Sequence, residues 1–550
     1  MIRCYLFVFF AAASLCSGNC NPKSNLGAEN PPRIVNIINF IRQLEPRSAA
    51  VTDEILFETV VQQIKQLNEH KLPATFLLQY DALINPLYQE LLKEQLYPGS
   101  EIGGWWEITQ PHVEAAGLKW RGRFPWDWHA DVGFATGYTP EEREKLVDIY
   151  MEKFKSIFGK YPASVGSWFI DAHSLAYMYD KYGIVASCNC KDQIGTDGYT
   201  LWGGYWNQAY YPSRKNAYMP AQNEAAQIPV PVFRMLGSDP IYQYDFGLGS
   251  RAQGVISLEP ASRMGGANRN WVEWFFRSMF DEPCLTFNYV QVGQENSFQW
   301  KNMKTGLEIQ IPLLDSLQQQ GRIRIETLEA SGKWFRERFS VTPPTSLSAL
   351  TDVRDEGRKT VWFNSRFYRV NLLWKDNSFR FRDIHLFDER LESDYLTKAG
   401  TSNQCIYTTL PIVDGFQWST ADNLAGLRFK KIDTSDKTIE LLIGDPVVTT
   451  PATDILQITC KSESGEEFTL TLLEDRMEIN CLSGKDFLWA LELDSVPGVE
   501  FPFTSIEKQN LKAILNGFEY GITCKEGFFQ KTGNTFRIIP SDNRLTIMMK

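Results

Sequence analysis

Between residues 33 and 335, short apolar runs alternate with longer stretches of helical periodicity, and that alternation admits few folds. Strands separated by helices lie side by side in a parallel sheet with the helices packed against it. Seven runs qualify: 33–41 (RIVNIINFI), 74–79 (ATFLLQ), 101–107 (EIGGWWE), 164–170 (SVGSWFI), 184–189 (IVASCN), 230–237 (VPVFRMLG) and 284–292 (CLTFNYVQV). The helices between them carry start signals. Thr52-Asp53 opens a run to His70 with Ile55, Val60, Ile64 and Leu67 on one face. Thr139-Pro140-Glu141-Glu142 combines a capping box with proline at the first helical position. The expected fold class is α/β, a seven-stranded (β/α) barrel over residues 30–345.

Past Pro343-Pro344 the pattern changes to period-two alternation, as in Arg366 to Leu372, Phe379 to Arg382 and Phe468 to Leu472. Turn signals stand at Asp376-Asn377, Ser464-Gly465 and Ser483-Gly484, so residues 350–550 are expected to form an all-β, sandwich-like domain. At the amino end, Arg3 precedes an apolar stretch over 5–15 that is too short to anchor the chain in a bilayer. Residues 1–20 therefore read as a signal peptide for a secreted, periplasmic or cell-surface protein, with a lipid anchor at Cys20 or Cys16 as the alternative. No later stretch suggests a stable transmembrane anchor. With 56 Lys+Arg against 66 Asp+Glu, the net charge of -10 repels phosphate, so no nucleic-acid partner is expected. Seven cysteines lie beyond the leader. Cys460 with Cys481 is the first pair to check for a disulfide, and buried free thiols are the favoured reading for the set.

In a parallel barrel the ligand site lies at the carboxyl ends of the strands, so the polar residues just past each run are the candidates. The successive runs lead to Arg42 and Glu45; Tyr80-Asp81; Trp105-Trp106-Glu107 and then His112; Asp171-Ala172-His173; Asp192; Ser238-Asp239; and Gln294-Glu295. Carboxylates at several strand ends suit hydrolysis of a glycosidic bond, which uses one carboxylate as nucleophile or base and one protonated carboxyl as acid. Asp171 leads this set because an apolar strand ends on it directly before a helix. As a helix cap it would instead accept bonds from the amides of the following turn. Asp239, Glu295 and Glu107 complete the catalytic candidates, with ion pairing or plain solvation as the alternative.

Eleven of the sixteen tryptophans fall within 105–300. Trp105, Trp106, Trp126 and Trp128 are the expected sugar-stacking face, with His112, His129 and His173 as substrate contacts, although tryptophan also packs beneath loops as a core residue. The histidines lack the close spacing of zinc ligands, and no dinucleotide, phosphate-loop or nucleophile-elbow motif occurs. No cofactor or resident metal is expected.

The segments Leu72 to Leu77, Gly99 to Gly104 and Phe158 to Pro162 resemble blocks of the seven-stranded barrels shared by polysaccharide deacetylases and the α-mannosidase and amylase-like glycoside hydrolases. The resemblance covers about residues 33–335. It implies a carboxylate nucleophile after the fourth strand, a position that Asp171 matches. The deacetylase metal triad is not recognisable, because the third-strand block runs into Trp105-Trp106-Glu107 instead of a histidine pair. The whole chain also resembles a family of uncharacterised secreted bacterial proteins of this two-part layout. Three readings follow: a glycoside hydrolase acting on a glycan through Asp171 with Asp239 or Glu295; a metal-dependent polysaccharide deacetylase with a ligand set drawn from Glu107, His112, His129 and Asp171; and a non-catalytic glycan-binding protein.

Overall fold

The computed structural model describes residues 31–250, 252–482 and 487–550. The expected signal peptide, with Cys16 and Cys20, and the turn expected at Ser483-Gly484 lie outside the described residues. All seven runs contain a strand: β1 Arg33–Ile41, β2 Thr75–Leu78, β3 Glu101–Trp105, β4 Ser164–Gly166, β5 Ala186–Asn189, β6 Val232–Arg234 and β7 Asn288–Val292. They pair in parallel in the order β7-β1-β2-β3-β4-β5-β6. The sheet holds nine strands rather than seven, because Arg324–Glu326 adds in parallel to β1 and Ala209–Tyr210 adds antiparallel to β6.

Among the described residues β6 and β7 share no ladder, which leaves the sheet nearly closed. Side chains span this seam. The Leu236 N–H donates to the Gln291 side chain at 2.8 Å, and the amides of Asn207 and Gln208 both donate to Asn288 Oδ1 at 3.1 Å. Buried polar groups are thereby paired without a further strand.

Helix starts fall where the sequence signals put them. Thr52 caps Asp53–His70, and Thr139 with Glu142 closes a reciprocal capping box on Pro140–Phe158. Val60, Ile64, Leu146 and Phe154 from these helices pack with Val35, Ile37 and Phe76 on the outer face of the sheet. Alternate residues, including Ile34, Ile38, Phe40, Leu77 and Trp105, fill the interior. Among the described residues no helix is long and apolar enough to cross a membrane.

Helix Leu328–Arg338 is followed by the strand Thr345–Ala349, which opens an antiparallel region with sheets of ten and eight strands. Phe381, Phe429, Phe468 and Ile479 contribute to the core of this region. The Asp376-Asn377 turn has both residues at positive φ, as a two-residue hairpin requires. Cys460 does not pair with Cys481. Cys460 is opposite Phe468, and Phe468 is opposite Cys481 on its other side, so the two cysteines are two strand spacings apart. That is about 9.5 Å, against a disulfide limit of about 7 Å between Cα atoms.

The junction between barrel and antiparallel region is a buried surface rather than a linker. Pro343, Pro344 and the strand after them are buried. Arg369, fully buried, donates to both oxygens of Asp383 at 2.8 Å and also pairs with Asp192 from the barrel, which takes Arg234 at 2.7 Å. The ring of Trp206 lies flat on Trp362, with centroids 3.7 Å apart. At Gly203 (φ 82°) a Cβ would sit 2.2 Å from His385 Nδ1 and Thr409 Oγ1, so only glycine admits this approach. Removing one partner from a buried ionic network costs about 3–5 kcal/mol. Arg369→Leu should lower the unfolding free energy by that amount in urea titrations, and limited proteolysis of the wild type should spare residues 340–350. A loss of less than about 1 kcal/mol together with ready cleavage there would contradict a locked junction.

Candidate functional site

The carboxyl ends of β1, β2, β3 and β7 deliver four polar side chains to one buried cluster. Arg42 follows β1, Gln79 follows β2, Glu107 lies two residues past β3, and Glu295 lies three past β7. Arg42 donates to Glu107 through Nε at 3.0 Å and Nη2 at 2.7 Å, and to Glu295 Oε1 through Nη1 at 3.0 Å. Gln79 adds a bond to Glu107 Oε2 at 2.8 Å. Both oxygens of Glu107 are therefore committed. The Arg42 guanidinium also lies 4.1 Å from the centre of the Trp126 ring, a cation–π contact. Burial works against the charge on Arg42, but Glu107 and Glu295 outweigh it and raise its pKa.

Above this cluster opens a cavity of about 330 Å³ whose walls include Arg47, Trp126, Trp128, Trp168, Glu259 and Glu295. Its size is at the lower end of ligand pockets. Glu295 accepts from Arg42 and from the Ser297 hydroxyl at Oε1, while Oε2 is buried with no hydrogen-bond partner. Burial raises its pKa to about 7 against the opposing pull of Arg42. Such a carboxyl holds its proton near neutrality and can give it up in a reaction. Glu259 has a different setting. Its oxygens accept from the Ser257 hydroxyl at 2.6 Å and the Gln294 amide at 2.7 Å, both neutral donors. Two carboxyl groups in unlike surroundings thus share one aromatic-lined cavity. Asp81, close to Glu107 and Arg42, is pushed up to about 7 by burial, and its Oδ2 also lacks a partner.

The structure separates the sequence candidates. Glu107, Glu295, Trp126 and Trp128 line the cavity. Asp171 does not, which corrects its expected place at the site. It is fully buried as the cap of Ala172–Tyr182, accepting from the Ser174 amide at 2.8 Å, the Ser174 hydroxyl at 2.7 Å and Arg143 at 3.0 Å. Arg143 in turn holds the carbonyls of Ala135 and Tyr138 and those of Tyr395 and Lys398, so it ties the loop after Trp126 and Trp128 to the antiparallel region. Asp239 is also withdrawn from the cavity. It accepts from the amides of Ile241 and Tyr242 and from the Trp271 indole.

Trp105 is interior packing, stacked on Phe40 at 4.2 Å, and Trp106 packs on the outer face against His112 and Tyr150. Burial lowers the pKa of His112 to about 4, and its ring bonds the Leu146 carbonyl instead of facing the cavity. His173 pairs with Glu144 at 3.1 Å, and His129 precedes a short helix with its ring against Trp128. Glu107, His112, His129 and Asp171 therefore do not converge. Among the described residues no group of three or more His, Cys, Asp or Glu is placed to hold a metal ion. The altered ligand set considered for a deacetylase is not assembled.

Three participants, Arg42, Gln79 and Glu259, were given no role from the sequence. Arg42 was visible as the residue after β1, but nothing marks it as the partner of glutamates 65 and 253 residues away. Glu259 lies in the irregular stretch between β6 and helix Arg269–Phe280, where no periodicity points to it.

No family model matches the sequence, and no curated protein matches it. Among solved structures, the chain is similar to a Parabacteroides distasonis protein described as a glycoside hydrolase/deacetylase, with a TM-score of 0.52 and 15% identity over 69% of this chain and 90% of that one. Proteins of Mycobacterium smegmatis and Pseudomonas aeruginosa described as polysaccharide deacetylases match with TM-scores of 0.36 and 0.35 and 12% identity each, over 57% and 56% of this chain and 93% and 92% of theirs. The Parabacteroides likeness is one of fold, and agrees at that level with the resemblance read from the sequence.

Because Asp81 and Glu295 rise from 3.8 and 4.5 to about 7, the folded chain binds more protons than the unfolded chain between those values. Stability should therefore fall as pH rises from about 4 to about 7 through these two groups. Urea titrations across that interval should show the slope flatten in an Asp81→Asn, Glu295→Gln double variant. An unchanged slope would contradict the raised carboxyls.

Proposed function

We propose that the protein is a carbohydrate-active hydrolase that cleaves a glycan in the cavity at the carboxyl end of the barrel. The observation that carries this reading is the Glu295 carboxyl, raised to about 7 by burial and set in an aromatic-lined cavity that also holds Glu259. In this reading Glu295 gives its proton to the glycosidic oxygen as the bond to the anomeric carbon breaks. Glu259 either takes a proton from the attacking water or attacks the anomeric carbon itself, and the separation of the two carboxyls selects between these outcomes. Glu107 and Arg42 act as positioning residues: the guanidinium holds Glu295 by one oxygen and leaves the other unbonded. Trp126 and Trp128 supply flat apolar faces for sugar rings. The amino-terminal leader would place this activity outside the cytoplasm.

Removal of an acyl group from a glycan is the second reading, favoured by the fold shared with the Parabacteroides protein. A panel of polysaccharides, native and chemically deacetylated, separates the two when both reducing ends and free acetate are measured. The expected outcome is new reducing ends from the wild type and a loss of about 100-fold or more in Glu295→Gln, the usual size of a general-acid contribution. Acetate released without new reducing ends would move the assignment to deacylation. Binding with neither product would move it to a glycan-binding role.

A further inference from the structure

We infer that the site takes a glycan chain several rings long that runs across the mouth of the cavity, rather than a single sugar enclosed within it; this rests on the glycan reading above. Large exposed apolar side chains are scattered over the molecule, but among the described residues only two of them are aromatic, Phe124 at 38% and Phe298 at 37% exposure. Both stand at this one cavity. Phe298 lines it, and Phe124 stacks on the lining residue Trp128 with centroids 5.8 Å apart and planes 13° apart. Among the described residues these two exposed rings stand at or beside one opening, where flat apolar faces can meet a ligand.

The surface continues on the Phe298 side. Two residues on, the half-buried Trp300 lines a shallow groove with Ile55, Thr59 and Gln299. Gln299, between the two aromatic residues, has φ 66° and ψ 141°, close to a region that is almost restricted to glycine. Residues held in such conformations cluster at ligand sites, and this one starts helix Trp300–Gln319 without a side-chain cap. Glu54, Glu58, Thr59, Gln299 and Lys301 share this largely apolar groove with Trp300 and Ile55. A sugar chain, apolar on its ring faces and hydroxylated at its rim, suits an aromatic face flanked by such polar groups.

Calorimetric titration of full-length Glu295→Gln protein with cello-, xylo-, manno- and chito-oligosaccharides of two to six units tests this. For a series that binds, affinity should rise by about tenfold or more from two units to five, as added rings reach added aromatic faces. Phe298→Ala and Phe124→Ala should each remove most of that gain with length, and circular dichroism should show both variants folded. Affinity that is flat with length, or a length dependence that survives both substitutions, would overturn the chain reading while leaving the hydrolase reading in place. No binding in any of the four series would overturn both.

Discussion

A buried guanidinium clamped between two glutamates organises the open end of this barrel. Arg42 reaches Glu107 and Glu295 from a third strand end, and Gln79 joins from a fourth, so one charged group sets the relative positions of β1, β2, β3 and β7 where the cavity begins. Without it Glu107 would lose its counter-charge and Glu295 would keep only Arg47 at 4.0 Å, a loss of about 3–5 kcal/mol for a broken buried pair. Its chemical effect is unequal. Glu107 takes two bonds from it and a third from Gln79, whereas Glu295 takes one and keeps Oε2 free of partners. Burial then dominates at Glu295 and raises its pKa to about 7.

The antiparallel region builds this site without entering it. Its segment around Tyr395 and Lys398 is held by Arg143, which also grips the carbonyls of Ala135 and Tyr138 in the stretch after Trp126 and Trp128. Its strand Cys405–Thr408 pairs with Tyr199–Trp202, so the hairpin that brings Gln193 and Tyr199 to the cavity is continuous with the second half of the chain. The Asp192, Arg369 and Asp383 network fixes the same junction from beneath. Asp171, which the sequence resemblance placed as a nucleophile, here supports Arg143.

Much of the barrel was legible because parallel strands and capped helices are local patterns: seven apolar runs, Thr52, and the Thr139 to Glu142 box. The two added strands, Ala209–Tyr210 and Arg324–Glu326, are two and three residues long and carry no period of their own. The candidate site was half legible. Glu107 and Glu295 could be found as carboxylates just past strands, but the same rule selected Asp171 and Asp239. A helix cap and a catalytic acid call for the same residue type in the same place, and only the partners tell them apart. Trp105 and Trp106 show the matching difficulty, since adjacent residues at a strand end face opposite sides of the sheet and both found core there. Arg42 and Glu259 depend on contacts with residues distant in sequence, which form only once the sheet has curved round.

The proposed acid chemistry turns on the protonation of one side chain, so it is tested most directly by the carboxyl-carbon NMR titration of Glu295, assigned by comparison with Glu295→Gln. It predicts an inflection near pH 7. An inflection between about 4 and 4.5, the ordinary glutamate range, would mean that Glu295 is ionised at neutrality, and would contradict its role as the acid.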